Sequence, residues 1–183
     1  MNRRIIGAAT IMAAAVFAQG CATKISKPAS APEPASVKFS TFKNFAMKNV
    51  VIADKYAESG ANKKAAAKIQ ELMTDEMKKA LPGLKVVEDS SAVAKKDSLL
   101  IEPKIEAIKF IGGMARFWLG AMAGSSAVRM KVTYTDMSSG KIVADPVFYR
   151  KASAFAGGMY GAADNRMLNE VVKDAANYTV FNR

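Results

Sequence analysis

The stretch that decides the fold is "AVRMKVTYTDMSSGKIVADPVFYRKA", Ala127–Ala152. Its first half alternates strictly between apolar and polar side chains, which is the period of a half-buried strand. The apolar set is Val128, Met130, Val132 and Tyr134. The run "SSGK" then predicts a hairpin turn. Because Pro146 has no N–H to donate, the returning strand is expected at a sheet edge or with a bulge.

Three further strands are predicted upstream of this hairpin. The long run "SLLIEPKIEAIKFI", Ser98–Ile111, has apolar residues that change face near Ala107, which predicts a bulge there. The alternating run "VKFSTFKNFAM", Val37–Met47, indicates a first strand, and "NVVIAD" extends it after a kink. The run "LKVVED" indicates a short strand.

Two amphipathic helices complete the pattern. Lys63–Leu81 repeats apolar residues at intervals of three and four, with Asn62 as the expected N-cap. A last helix is expected from Asp164 to about Val180. The order β-α-β-β-β-β-α predicts an α+β two-layer sandwich, with a mainly antiparallel sheet and two helices on one face.

Two glycine-rich connections are expected at the same end of this sheet. If the three long strands form a meander, the connections Gly112–Ser126 and Ala154–Asp164 leave from one end. Their aromatic residues would then meet: Phe117, Trp118, Phe155 and Tyr160. Three interpretations stay open: a plug for the open end of the core, an apolar lip that binds a partner, or a membrane-inserted element.

The first 21 residues, "MNRRIIGAATIMAAAVFAQGC", have the layout of an export signal. Two arginines precede an apolar run that ends at Phe17, which is shorter than the roughly 20 residues needed to span a bilayer. Residues 1–20 are therefore predicted to be a signal peptide. The stretch "FAQGC" resembles the lipobox of bacterial lipoproteins, in which Cys21 carries the lipid, palmitate included. An uncleaved anchor, or cleavage that leaves a free thiol, are the alternatives.

The lipid anchor sets the expected location and the domain boundaries. By resemblance to the enterobacterial sorting rule, Ala22 after the cysteine favours the periplasmic face of the outer membrane. The Pro-rich run that follows predicts a tether over residues 21–36, and a single domain over residues 37–183. At about 3.1 Å per residue, this tether would hold the domain up to about 45 Å from the membrane.

The formal net charge of +11 suits anionic partners, such as lipid head groups or peptidoglycan. The candidate residues for an anionic ligand form a predicted basic sheet face: Arg129, Lys131, Arg150 and Lys151. A solvated basic surface with no ligand is the alternative. Nucleic acid is not an expected partner, because the sequence has no motif of the usual nucleic-acid-binding kind.

Catalytic chemistry is not expected. The chain has no histidine, and its only cysteine is assigned to the lipid. None of the common hydrolase, metalloprotease or nucleotide-binding motifs occurs. The sequence therefore predicts no enzyme activity, no cofactor and no metal site.

Two stretches carry a resemblance to a known family. "RFWLGAMAGSSAVRMKVTYTDMSSGKIVAD" and "FAGGMYGAADNRMLNEVVKDAANYTV" resemble bacterial lipoproteins of domain of unknown function family 4410. The resemblance implies an exported, membrane-tethered α+β domain, and it implies no activity. We therefore expect an interaction or assembly module of the cell envelope with a protein partner, which could form oligomers; a binding module for an anionic envelope ligand is the alternative.

Overall fold

The computed structural model describes residues 25–110, 125–152 and 162–183. These residues form three α-helices, which are α1 (Asp54–Ala57), α2 (Gly60–Ala80) and α3 (Ala162–Phe181). They also form seven strands, which are β1 (Asn44–Lys48), β2 (Val51–Ile52), β3 (Lys85–Val87), β4 (Ser98–Lys109), β5 (Ala127–Asp136), β6 (Lys141–Ala144) and β7 (Val147–Lys151). Single 3₁₀ turns lie at Phe39–Thr41 and Ser90–Ala92.

The seven strands occupy five positions in one sheet, in the order β3-β1-β4-β5-β6. β2 pairs with β4, as β1 does, so β1 and β2 share one position in the sheet. β7 pairs with β5, as β6 does, so β6 and β7 share another. The α+β class is confirmed, but the prediction of a mainly antiparallel sheet is wrong. β1 runs parallel to both β3 and β4, while β4, β5, β6 and β7 form antiparallel pairs, which makes the sheet mixed.

The parallel half of the sheet follows from its connections. A strand, a helix and a second strand form a crossover unit, so β3 returns parallel to β1 after α2. β4 then pairs with the other side of β1 rather than with β3. The predicted meander of the three long strands is confirmed, because β5 lies between β4 on one side and β6 and β7 on the other. The element order also differs from the predicted one, because the last strand is divided and α1 precedes α2. The first strand continues after a kink as predicted, but it begins at Asn44 rather than at Val37.

Several local predictions are confirmed in the antiparallel half. The register of β4 against β5 shifts between Ile105 and Ala107, which is the expected bulge. Pro146 separates β6 from β7 at a sheet edge, as a proline without an N–H requires. The turn between β5 and β6 closes with Gly140 at φ +70°, a conformation that favours glycine.

The two long helices pack against each other and cover one face of the sheet. The side chain of Ser59, not Asn62, caps α2, because its oxygen accepts from the Asn62 N–H at 3.5 Å. Asn62 lies within the first turn and donates to the carbonyl of Tyr56. α2 ends immediately before Leu81, Pro82 and Gly83. Of the residues described, no helix is long and apolar enough to cross a bilayer.

The core lies between the helices and the inward residues of the strands. Met73 and Met77 of α2 and Val171 and Ala175 of α3 are buried there. Tyr134 is fully buried, and its hydroxyl lies 2.7 Å from that of Thr179 on α3. Phe39, from the N-terminal 3₁₀ turn, stacks on Tyr134 with ring centroids 4.7 Å apart. The segment before β1 is therefore part of the core.

Candidate interaction surfaces

The predicted lipidation residue and the predicted aromatic set lie outside the described residues. Cys21, Phe117, Trp118, Phe155 and Tyr160 belong to the segments 1–24, 111–124 and 153–161. The strand residues that flank the two glycine-rich connections lie side by side in the sheet. Ala127 pairs with Lys109 on β4 and with Lys151 on β7. The meander and the common end are thus confirmed, while the contact between the aromatic side chains stays a prediction.

The uncovered face of the sheet carries alternating charges, and two of the predicted anion-binding residues lie there. Arg129 contacts Glu106, with 2.9 Å between Nε and Oε2. Lys131 contacts Asp145, with 2.8 Å between Nζ and Oδ2. A third pair on this face joins Lys48 to Glu102 at 3.1 Å. The face is therefore a set of ion pairs rather than the uniformly basic surface that the sequence predicted.

Arg150 and Lys151 do not share a face, because neighbouring residues of a strand point to opposite sides of the sheet. Lys151 pairs in register with Ala127, on the uncovered side, and is exposed. Arg150 pairs with Val128, on the helix side, and forms a fork with Asp174 of α3 at 2.6 and 2.5 Å. The hydrogen bond to Asp174 raises the pKa of the Arg150 guanidinium above its usual value. Arg150 thus joins β7 to α3 and is not part of a basic sheet face.

The N-terminal segment from Glu33 to Phe39 is docked on the β6 edge, although composition alone predicted a tether as far as residue 36. The Ser36 N–H donates to the carbonyl of Val143 on β6 at 2.9 Å. The Ala35 N–H donates to Oδ1 of Asn182 at 2.8 Å, and the Tyr178 hydroxyl donates to the carbonyl of Glu33 at 2.8 Å. Four of these six groups belong to the backbone, so no side-chain pattern in the sequence could have revealed the docking.

Asn182 holds the beginning and the end of the domain together. Its side chain is 1% exposed, and its amide nitrogen donates to the carbonyl of Tyr178 at 2.8 Å. Its own carbonyl accepts from the Phe39 N–H at 2.8 Å. A single asparagine at the end of α3 therefore fixes residues 35 and 39. The only signal in the sequence was a polar residue directly after an amphipathic stripe.

A groove of about 810 Å³ lies where residues 27–32 pass over β7 and α3. We call it the tether groove. Its walls on the domain are Val147, Phe148, Tyr149, Arg150, Asp174, Asn177, Tyr178 and Phe181. A second depression of about 390 Å³ separates residues 28–36 from β6 and the start of β7. The chain toward Cys21 therefore leaves the domain on the side formed by β6, β7 and α3.

Exposed apolar side chains accompany the docked segment. Phe181 is 69% exposed at the end of α3, and Ile142 is 60% exposed on β6. Val37, which directly follows Ser36 in the docked segment, is 39% exposed. The Lys38 ammonium lies 5.5 Å from the centre of the Phe181 ring. We call this set, Val37, Lys38, Ile142 and Phe181, the entry edge.

The ionisable groups of the described residues have structural roles. Burial raises the pKa of the Tyr134 hydroxyl, which is enclosed in the core beside Thr179. Burial and the nearby charge of Asp145 raise the pKa of Tyr178 to about 12. Hydrogen bonds from Ser139 and Ser138 lower the pKa of Asp136 in the hairpin turn. Within the described ranges, no cluster of three acidic or sulfur ligands could hold a metal ion.

Residues 33–158 match the profile of the domain of unknown function DUF4410. The chain belongs to this family. The DUF4410 match begins at Glu33, the residue whose carbonyl accepts from Tyr178, so it includes the docked part of the segment predicted as a tether. No curated protein matches the chain.

Among solved structures, this DUF4410 chain is similar in fold to PelC from Paraburkholderia phytofirmans. One PelC dodecamer superimposes with a TM-score of 0.51 at 11% identity, over 84% of this chain and 95% of that chain. A dodecamer of a PelC variant gives a TM-score of 0.50 at 12% identity, over 78% and 92%. A Xanthomonas campestris protein gives 0.47 at 10% identity, over 84% and 95%. At these identities, the two PelC matches establish similarity of fold alone.

Proposed function

We propose that this chain is a non-enzymatic lipoprotein, anchored through Cys21 in the periplasmic face of the outer membrane, that serves as an assembly module of the cell envelope. The observation that carries the assembly role is the fold, which it shares over nearly the whole length of PelC, a protein that forms dodecamers. The lipobox-like "FAQGC" supports the anchor. The absence of histidine supports a role without catalysis.

The geometry of the described residues suits a scaffold. Phe39, Tyr134 and Tyr178 tie the N-terminal segment, the sheet and α3 into one unit. A domain whose N-terminal segment is held from Glu33 onward presents its surfaces in a defined orientation relative to that segment, which favours ordered contacts between copies or with a partner protein.

The alternative, a binding module for an anionic ligand, receives less support. Arg129, Lys131 and Arg150 each contact a carboxylate, so a ligand would have to displace Glu106, Asp145 or Asp174. Lys151 is the exposed member of the predicted set, and a single surface lysine contributes little binding energy. We therefore propose the assembly role.

Fractionation and native mass measurement test the proposal. The full-length chain is expressed in a Gram-negative host, and membranes are separated by density. The expected result is that the chain carries lipid, floats with the outer membrane and gives complexes of several copies or with a partner after mild crosslinking. Cys21→Ala should release it from the membrane, whereas the matched variant Ser26→Ala should not. A Cys21→Ala chain that stays with the membrane contradicts the anchor, and a lipidated chain that remains single contradicts the assembly role.

A further inference from the structure

The chain between the proposed anchor and the tether groove is short. Five residues lie between Cys21 and Lys27, the residue at which the chain begins to line the tether groove. At full extension of about 3.3–3.6 Å per residue, the chain from Cys21 to Lys27 spans only about 20 Å. A tether that was free up to residue 36 would reach about 45 Å. Docking therefore brings the domain close to the membrane and fixes which side of the domain faces it.

We propose that the entry edge, Val37, Lys38, Ile142 and Phe181, is a membrane-contacting surface that rests on the lipid head groups. The inference depends on the proposed lipidation of Cys21, because the anchor draws this side of the domain toward the bilayer. The residues that hold the segment to this side are Ser36, through Val143, and Glu33, through Tyr178.

The chemistry of the entry edge fits the interfacial zone of a bilayer. Phe181 and Ile142 are the two most exposed large apolar side chains in the described part of the chain. Water-facing apolar groups of this size are stabilised when they enter the boundary between head groups and acyl chains. Lys38 covers the Phe181 ring and also donates to the Phe181 carbonyl at 3.3 Å, so an aromatic ring and an ammonium are presented together.

The charges around the entry edge favour an anionic surface. Lys27, Lys38 and Lys141 are exposed on this side. The acidic side chains nearby are Glu33, which is exposed, Asp145, which contacts Lys131, and Asp136, which pairs in register with Lys141. Each cation near an anionic leaflet adds about 1 kcal/mol of attraction, which the nearby carboxylates offset in part.

The opposite edge of the sheet supplies the control surface. β3 is four strand positions away from β6, which is about 19 Å at the usual strand spacing. Val86 on β3 is 38% exposed, so a label there is accessible to solvent as a label at Ile142 is. If the entry edge rests on the membrane, Val86 points away from it or lies well above it.

A depth measurement on the intact lipoprotein tests the inference. The lipidated full-length chain, with Ile142→Cys, Phe181→Cys or Val86→Cys, carries a fluorophore on the new thiol, since lipidation blocks Cys21. Each variant is reconstituted into vesicles of phosphatidylethanolamine and phosphatidylglycerol that contain a head-group nitroxide quencher. The expected result is that labels at 142 and 181 lose most of their fluorescence, while the label at 86 keeps most of it.

The outcomes separate this inference from the proposed function. Equal quenching at the three positions, or stronger quenching at 86, overturns the membrane-facing edge while the anchor stands. Mass spectrometry of the same samples reports the lipid on Cys21 directly. A chain without lipid that fails to bind the vesicles overturns the anchor, and the proposed edge falls with it.

Discussion

The two edges of the sheet are protected in different ways. At one edge, β3 is three residues long and presents the exposed Lys85, which is a usual way to keep an unpaired strand from joining another chain. At the other edge, the domain covers β6 with its own N-terminal segment, through the bond from Ser36 to Val143. The first edge is open and the second is closed by a segment that also leads to the anchor.

This difference connects the fold to the proposed anchoring. The closed edge brings together the docked N-terminal segment, the end of α3 and the strand that Pro146 interrupts. Because all three meet at Asn182 or beside Tyr178, the point where the chain toward Cys21 leaves the domain cannot move without disturbing the core. At the open edge, in contrast, β3 pairs in the sheet with β1.

The largest expected effect concerns Phe39, which brings the N-terminal segment into the core. Phe39→Ala removes a fully buried ring that stacks on Tyr134, and we expect a loss of about 3–5 kcal/mol in the free energy of unfolding. The matched change at the open edge, Val86→Ala, should cost about 0.5 kcal/mol or less. Urea denaturation measures both. Equal costs would mean that the segment is not part of the core.

A smaller effect is expected at Asn182. Asn182→Ala leaves the Ala35 N–H and the Tyr178 carbonyl without their side-chain partner in a buried site, at a cost of about 1–3 kcal/mol. Asn177→Ala, at an exposed position of the same helix, is the control and should be close to neutral. If the two variants unfold at the same urea concentration, Asn182 does not hold the closed edge.

The antiparallel half of the fold could be predicted from the sequence. Strict alternation over Ala127–Asp136, the "SSGK" turn and Pro146 each have a local physical meaning, and each is confirmed. The bulge near Ala107 was visible because apolar residues changed face. The parallel half could not be predicted in this way, because alternation is the same whichever direction a neighbouring strand runs.

The interaction surfaces were less predictable. The docking at Glu33 and Ser36 depends on backbone groups, which composition does not report. The four basic residues looked alike in the sequence, yet three of them are paired with carboxylates from other parts of the fold. Glu106 is on β4 and Asp174 is on α3, so both pairs depend on tertiary structure.

Tyr178, at the closed edge, should make the stability of the domain depend on pH. Its folded pKa is raised to about 12, above the ordinary value near 10, so the neutral form is favoured in the folded state. The stability that it contributes is therefore fully present below about pH 10 and is lost as the pH rises toward 12. In urea denaturation, the free energy of unfolding of Tyr178→Phe should fall less steeply between these pH values than that of the unchanged protein. Tyr149→Phe, on the uncovered face, is the control. If the free energy of unfolding of Tyr178→Phe falls with pH as steeply as that of the unchanged protein, the Tyr178 hydroxyl is not a buried donor.

The smallest expected effect concerns the uncovered face. Arg129→Gln breaks a half-exposed ion pair with Glu106 and should cost about 0.2–1 kcal/mol. The charge reversals Arg129→Glu and Lys131→Glu should leave sedimentation with anionic vesicles or cell-wall material unchanged, because both cations are already paired. Salt-sensitive sedimentation that these reversals abolish would instead favour the anionic-ligand function.

The central claim is that the chain is part of the domain from Glu33 onward, so that the anchor leaves from a fixed edge. Hydrogen exchange of single backbone amides, followed by NMR, tests it most directly. The N–H groups of Ala35, Ser36 and Phe39 all donate to partners in the domain, so their exchange should be slowed on the order of 100-fold or more. Exchange of Ala35 and Ser36 as fast as that of the exposed Ser30 and Ala31 would contradict the account.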